Sequence, residues 1–212
     1  MPRSATPADT RARLLAHAGP LFARQGLEGL GIRQLAREAR ANIAAVNYHF
    51  GSKQALFREV CLLHLRAINV QRAASLDVLE SSRKAPSLAA ILSAYLGPIV
   101  NFARGGDPSN LLFMRLVMSQ VARRDAALQQ ALAAESLPLL GRTLSLLARA
   151  LPGVADNDLR LGLAQVIGST THLLMNEELE RQPSRRATLE SASALLDRLV
   201  SHGAAGLRAL KA

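Results

Sequence analysis

Residues 42 to 53 read Asn42-Ile43-Ala44-Ala45-Val46-Asn47-Tyr48-His49-Phe50-Gly51-Ser52-Lys53. Asn42 is a good N-cap residue, because its short side chain can accept a hydrogen bond from a main-chain N–H of the first helical turn. Ile43 to Phe50 then supplies two helical turns. Upstream, Ile32, Leu35, Ala36 and Ala39 are spaced for the buried face of another short helix, with Arg33, Gln34 and Arg37 directed outward. Arg40-Ala41 lies between the two. Two short helices joined by a three- or four-residue turn are a helix-turn-helix, in which the second helix enters the DNA major groove with its N-terminal residues at base edges.

Reading outward, a helix from about Thr6 to Gln25 carries Leu14, Ala18, Leu21 and Phe22 on one stripe, and Gly26 and Gly29 end it. Downstream, a long helix from Ser52 to about Ser82 is expected to turn Leu56, Val60, Leu63 and Ala67 inward. Further helices are read at 87–103, 109–122, 126–151 with a kink or break at Pro138, 156–176 and 186–207. Ala and Leu dominate and residues favouring strands are scarce, so the fold class is all-α. A reading head at 1–51 would join a helical ligand-binding and dimerisation body at 52–212.

The 212 residues hold 26 Lys+Arg against 16 Asp+Glu, a formal charge of +10, and only 3% are aromatic. Half of that excess sits in the first sixty residues, with nine Lys/Arg against four Asp/Glu. Such a head suits a polyanion, although a basic surface can also serve solubility alone. The single Cys61 excludes disulfide frameworks and CxxC sites. His17, His49, His64, His172 and His202 show no metal spacing, and no phosphate-binding glycine motif occurs, so an enzyme is disfavoured and no cofactor is expected. The uncharged window 85–103 contains two prolines and several polar residues, which reads as a buried helix and not a membrane span. Asp9, Arg11 and Arg13 precede any apolar run, unlike a secretory signal, so the expected location is cytoplasmic.

The string Tyr48-His49-Phe50-Gly51-Ser52-Lys53-Gln54-Ala55-Leu56 resembles the DNA-binding domain of the TetR family of transcriptional repressors, marked by Tyr-His-Phe followed by x-x-Lys-x-x-Leu. The likeness runs from about Thr10 to Val60 and includes Ala18-x-x-Leu21-Phe22-x-x-x-Gly26 and the Leu35-Ala36 pair. Residues 42–53 are also similar to a subgroup responsive to fatty acids or their acyl derivatives. Two departures stand out. Leu30-Gly31 replaces the hydroxyl residue that commonly caps the second helix and touches phosphate, and Arg40-Ala41 replaces the usual Gly-Val of the turn.

The resemblance implies that Lys53 and His49 contact DNA phosphates, with Tyr48, and less directly Asn47, on the sugar-phosphate backbone. Lys53 also invites that reading on its own, because a cation in the first turn of a helix opposes the helix dipole and needs a favourable partner. Arg33 and Asn42 are candidates for base edges, Arg to guanine and Asn to adenine, whereas Ile43, Ala44 and Ala45 suit thymine methyls. Arg40 is a candidate backbone contact. Ala45 and Val46 also fit a core, which is preferred for Val46.

In the body, Leu62, Leu65, Tyr95, Phe102, Phe113, Met118, His172 and Met175 are candidates to line an effector pocket, and most suit a packed core equally. His172 reads either as an orienting polar contact or as an interface histidine. The resemblance implies a homodimer through 156–176, striped by Leu161, Ala164, Gly168, Thr171 and Met175, and 186–207, striped by Leu189, Ala192, Leu196, Leu199 and Gly203. These stripes could also face the chain's own core. The expected function is thus a dimeric repressor of a pseudo-palindromic double-stranded operator, released by a small apolar or acyl-type effector. The competing expectation is a basic helical protein that coats nucleic acid non-specifically.

Overall fold

Short polar side chains open several of the helices in the computed structural model, which describes residues 6–176 and 191–211. Thr6 caps α1 (Pro7–Gly29) in a reciprocal box with Asp9, and the pairing holds the Asp9 carboxyl below the usual carboxylate range. α2 (Ile32–Glu38) and α3 (Ile43–Phe50) follow, then α4 (Lys53–Glu80), which opens with Ser52 Oγ accepting from Ala55 N. Ser87 caps α5 (Leu88–Arg104) through Ala90 N. α6 (Pro108–Ala122), α7 (Ala126–Ala150), α8 (Asp156–Met175) and α9 (Ala192–Ala209) complete the order, α9 being capped by Ser191. No strand occurs among the described residues.

Glycine breaks α1 where the sequence places its end. Gly26 takes φ 73°, outside helical geometry, before one more turn to Gly29. α7, by contrast, continues through Pro138 as one helix, not two.

The chain divides into two compact units, one holding residues up to 65 with 112–133 and the other 66–111 with 134 onward. The boundary expected at 51/52 falls inside the first unit. That unit packs Leu14, Ala18, Phe22, Leu35, Val46 and Phe50 with Leu56, Phe57, Val60 and Phe113, and its rings meet at 5.1 Å for Phe22–Phe57 and 5.8 Å for Phe57–Phe113. In the second unit α5 packs on α8 and α9, burying Ile91, Leu92 and Leu96 with Leu163, Leu195, Leu199 and Leu207.

The α4 stripe needs correction, and those of α8 and α9 divide between the chain's own core and the surface. On α4, Leu56 and Val60 are buried as expected, but Leu63 and Ala67 are exposed. The buried line instead passes through Phe57, Cys61, Ile68, Arg72 and Leu76, an adjacent register of the same 3.6-residue period. On α9, Leu199 and Gly203 face their own chain: a Cβ on Gly203 would stand 3.0 Å from Leu92 and from Val166. Ala192 and Leu196 are half-buried, and Leu189 lies outside the described residues. On α8, Leu161, Ala164 and Gly168 are exposed, and Thr171 and Met175 are half-buried.

No single helix among the described residues is long and apolar enough to cross a membrane.

Candidate nucleic-acid interface

Leu35 and Ala36 anchor α2 inward, while Arg33 and Arg37 stay exposed. Its end is closed by two main-chain bonds, Ala41 N to Ala36 O at 2.8 Å and Arg40 N to Arg37 O at 3.2 Å. This is a Schellman closure, whose left-handed position belongs most often to glycine. Here it is Arg40, with φ 50°. The left-handed turn of the family pattern is therefore present with an arginine in it. Arg13 reinforces the corner by donating Nε to the Ala39 carbonyl at 3.2 Å.

Asn42 does cap α3: its Oδ1 accepts from Ala44 N at 3.0 Å. Val46 and Phe50 point into the core one turn apart, which leaves Ile43, Ala44, Asn47 and Tyr48 on the opposite, exposed face. Tyr48 is 82% exposed, unusual for an aromatic side chain without a partner surface. Ala45 and His49 are half-buried at the edges of this face, His49 lying between the Tyr48 and Phe50 rings. Gly51, at φ 74°, stops the helix with its N–H on Asn47 O.

Nine of the ten residues expected at DNA thus sit on α2, its turn and α3. Arg33, Arg40, Asn42, Ile43, Ala44, Asn47 and Tyr48 are exposed, and Ala45 and His49 are partly so. The tenth, Lys53, is drawn back into the protein. Its Nζ donates to Glu28 O at 3.1 Å, with the Glu28 carboxylate at 3.9 Å. The last turn of α1 thus supplies a partner that offsets the unfavourable position of Lys53 at the start of α4. Gly31 starts α2 with no side-chain cap, as its lack of a hydroxyl dictates.

Charge on this surface is net positive and uncommitted. Arg11 is occupied by Glu59 at 2.6 Å and lies over the Phe50 ring, but Arg33, Arg37 and Arg40 have no carboxylate partner among the described residues. Such guanidinium groups suit phosphate or guanine.

The eight residues expected at an effector divide between the units. Leu62 and Phe113 are buried and Leu65 and Met118 half-buried in the first; Tyr95 is buried, Phe102 and Met175 half-buried, and His172 exposed in the second. His172 contacts Asn176 on the outer side of α8. A groove of 310 Å³ between α8 and α9 is lined by other residues, among them Gly162, Gln165, Ser169, His202 and Gly206. Sequence reasoning passed over Arg72, a buried charge that no motif marks.

Burial pushes the Cys61 thiol strongly upward, with Asp125 adding to the effect, the opposite of what activates a nucleophile. No group of three or more potential metal ligands occurs among the described residues.

Residues 14–60 match the family described as "Bacterial regulatory proteins, tetR family", and residues 93–206 match the "Tetracyclin repressor-like, C-terminal domain". Curated proteins provide no match. Among solved structures, a TetR-family transcriptional regulator from Streptomyces coelicolor is similar at TM-score 0.67 and 21% identity, covering 97% of each chain. A TetR-like transcriptional regulator from Rhodococcus sp. RHA1 is similar at 0.61 and 16%, covering 97% of this chain and 99% of its own. AibR, solved with isovaleryl coenzyme A and operator DNA, is similar at 0.62 and 14%, covering 91% and 97%. A helix-turn-helix with an exposed, cationic reading face and matches to both the N- and C-terminal family domains lead to one assignment: the chain belongs to the TetR family and is a DNA-binding transcriptional regulator, not an enzyme.

Proposed function

We propose that the chain is a cytoplasmic repressor that acts as a dimer on a pseudo-palindromic operator, each α3 occupying one major groove. The observation that carries this reading is the exposed face of Asn42, Ile43, Ala44, Asn47 and Tyr48 beside Arg33 and Arg40, neither of which pairs with a carboxylate among the described residues. Arg33 and Asn42 read base edges, Ile43, Ala44 and Ala45 meet thymine methyls, and Arg40, Asn47, Tyr48, His49 and Lys53 hold the backbone. Residues 1–51 act as the reading head and 52–212 as the effector-binding and dimerising body.

A small apolar or acyl-type effector in the body releases the operator. The coenzyme A thioester bound by AibR supports that class. Release requires the effector to bind the DNA-free conformation more tightly than the DNA-bound one.

The decisive experiment compares binding to the chain's own upstream intergenic DNA with binding to a shuffled duplex of equal length, at one near-physiological salt. The expected preference is about a thousandfold or more, the range of specific regulators. Equal binding to both duplexes calls for selection of bound fragments from the whole genome, and fragments so selected that bind no better than random DNA would leave only a phosphate-coating protein.

A further inference from the structure

The peptide plane that joins Ala39 to Arg40 sets the geometry of the turn between α2 and α3. Ala39 ends α2 at φ −77° and ψ 0°, and Arg40 follows at φ 50°. Because a peptide unit is rigid, turning that plane would move ψ of Ala39 and φ of Arg40 in opposite senses and disturb little else. It would also take Arg40 out of the left-handed region that arginine disfavours.

The plane is held at both of its polar groups. Its N–H donates to Arg37 O at 3.2 Å, and its carbonyl, Ala39 O, accepts from Arg13 Nε at 3.2 Å. The first bond belongs to any helix closed in this way. The second comes from a side chain on α1, 26 residues earlier. A C-cap carbonyl has no donor within its own helix, and Ala39 is almost wholly buried, so this one depends on a protein partner.

Arg13 is itself oriented. Its Nη2 donates to Thr10 Oγ1 at 3.3 Å, on the same stretch of α1 that Thr6 and Asp9 cap. Its positive charge also suits the C-terminal end of α2. Two residues beyond Arg40, Asn42 begins α3 and presents the exposed face of Ile43, Ala44 and Asn47. So short a connection passes any rotation of the 39–40 peptide on to the direction in which α3 leaves the turn.

We propose that Arg13 is a positioning residue for sequence-specific DNA binding: it clamps the 39–40 peptide, keeps Arg40 left-handed and so fixes where α3 points. Glycine would hold that turn without a clamp, since it enters the left-handed region freely; with arginine there, the turn depends on α1. This rests on the reading of α3 as the operator-reading helix. It predicts that positions 13 and 40, far apart in sequence, are energetically coupled.

The test uses the full-length protein and two duplexes of equal length, the sequence that the wild type enriches most from a randomised pool and a shuffled version of it. The ratio of the two affinities at one salt concentration, and the melting temperature, are read for the wild type, Arg13→Met, Arg40→Gly and the double variant. Arg13→Met keeps the aliphatic length and removes every donor. It is expected to lower the ratio about tenfold, the worth of one charge-assisted hydrogen bond. Loss of a charge alone would weaken both duplexes by one factor and leave the ratio unchanged. Added to Arg40→Gly, Arg13→Met should lower the ratio by less than about twofold.

Equal weakening of both duplexes by Arg13→Met overturns the proposal. So does a fall in the ratio that Arg40→Gly fails to relieve, because Arg13 would then act by another route. If Arg13→Met alone does not fold, the double variant decides: recovery of folding with the ratio of Arg40→Gly supports the clamp, and a double variant that stays unfolded overturns it. A wild type that enriches no sequence removes the operator reading along with the proposal, whereas an enriched sequence that Arg13→Met prefers as strongly as the wild type does removes the proposal alone.

Discussion

Lys53 opens α4 with its ammonium on the main-chain carbonyl of Glu28, 3.1 Å away, so the residue that the resemblance assigns to phosphate already joins two helices of the head. The side chain is one-fifth exposed, and a phosphate would meet a cation held in place beforehand. Lys53→Met is expected to lower affinity for operator and random duplex by the same factor and to reduce the salt slope by about one charge. Titrations of both duplexes at several salt concentrations check this. A loss confined to the operator would make Lys53 a reader instead of a clamp.

Arg40 holds a left-handed conformation at φ 50°, which costs a non-glycine residue about 1–2 kcal/mol. Glycine would relieve that strain but also gain freedom in the unfolded chain, so Arg40→Gly should stabilise the protein by about 0.5–1 kcal/mol. Its DNA affinity should fall at the same time if the guanidinium meets the backbone. Opposite signs in a melting curve and a binding titration are the expected signature; a stabilised protein with unchanged affinity would remove Arg40 from the interface.

Asn42 spends its Oδ1 on Ala44 N, which limits how freely its amide can turn toward adenine. Asn42→Ser preserves a cap and removes the amide, so it should fold like the wild type yet relax preference at one base position. Asn42→Ala should in addition lose about 1 kcal/mol of stability. Selection of bound sequences from a randomised pool distinguishes the two effects: an unaltered preference in Asn42→Ser confines Asn42 to capping.

The head was legible because its signals are local. A cap at Asn42, a stop at Gly51 and buried positions at 35, 36, 46 and 50 each depend on neighbours within one or two turns. Lys53 was half legible: its awkward place against the helix dipole demanded a partner, but Glu28 lies 25 residues away and no periodicity points to it. The body was less legible, because a broad apolar stripe on α4 has several registers and only packing selects the one through Ile68, Arg72 and Leu76. Arg72 was invisible for the same reason, since an arginine in such a helix reads as solvated until the fold buries it.

His64 sits in the first unit with its ring 5.0 Å from that of Phe113, and its Nε2 would stand 3.2 Å from a Cβ placed on Gly19. Burial holds its pKa below the ordinary histidine value. The unfolded chain therefore binds this proton more readily than the folded one, so stability is full above about pH 6.5 and declines as pH falls toward the folded pKa. Thermal unfolding at pH 7.5 and 5.5 should show that loss, and His64→Asn should reduce it. An equal loss in the variant would assign the acid sensitivity to other groups.

Gly168 and Gly203, both read from sequence as small residues of a dimer face, have opposite surroundings. A Cβ on Gly168 would meet nothing within 4 Å, and its neighbours along α8, Leu161 and Ala164, are exposed. A Cβ on Gly203 would press on Leu92 and Val166 at 3.0 Å, inside the packing of α5, α8 and α9. Gly168→Arg should leave each chain folded but place like charges across a twofold axis, giving monomers by light scattering and, with two half-sites no longer linked, much weaker operator binding. Gly203→Val should destabilise the chain by about 1–3 kcal/mol through overpacking, whatever the oligomeric state. A Gly168→Arg protein that remains a dimer would move the interface off this face of α8, while a Gly203→Val protein of wild-type stability would mean that α9 can shift away from α5 at little cost.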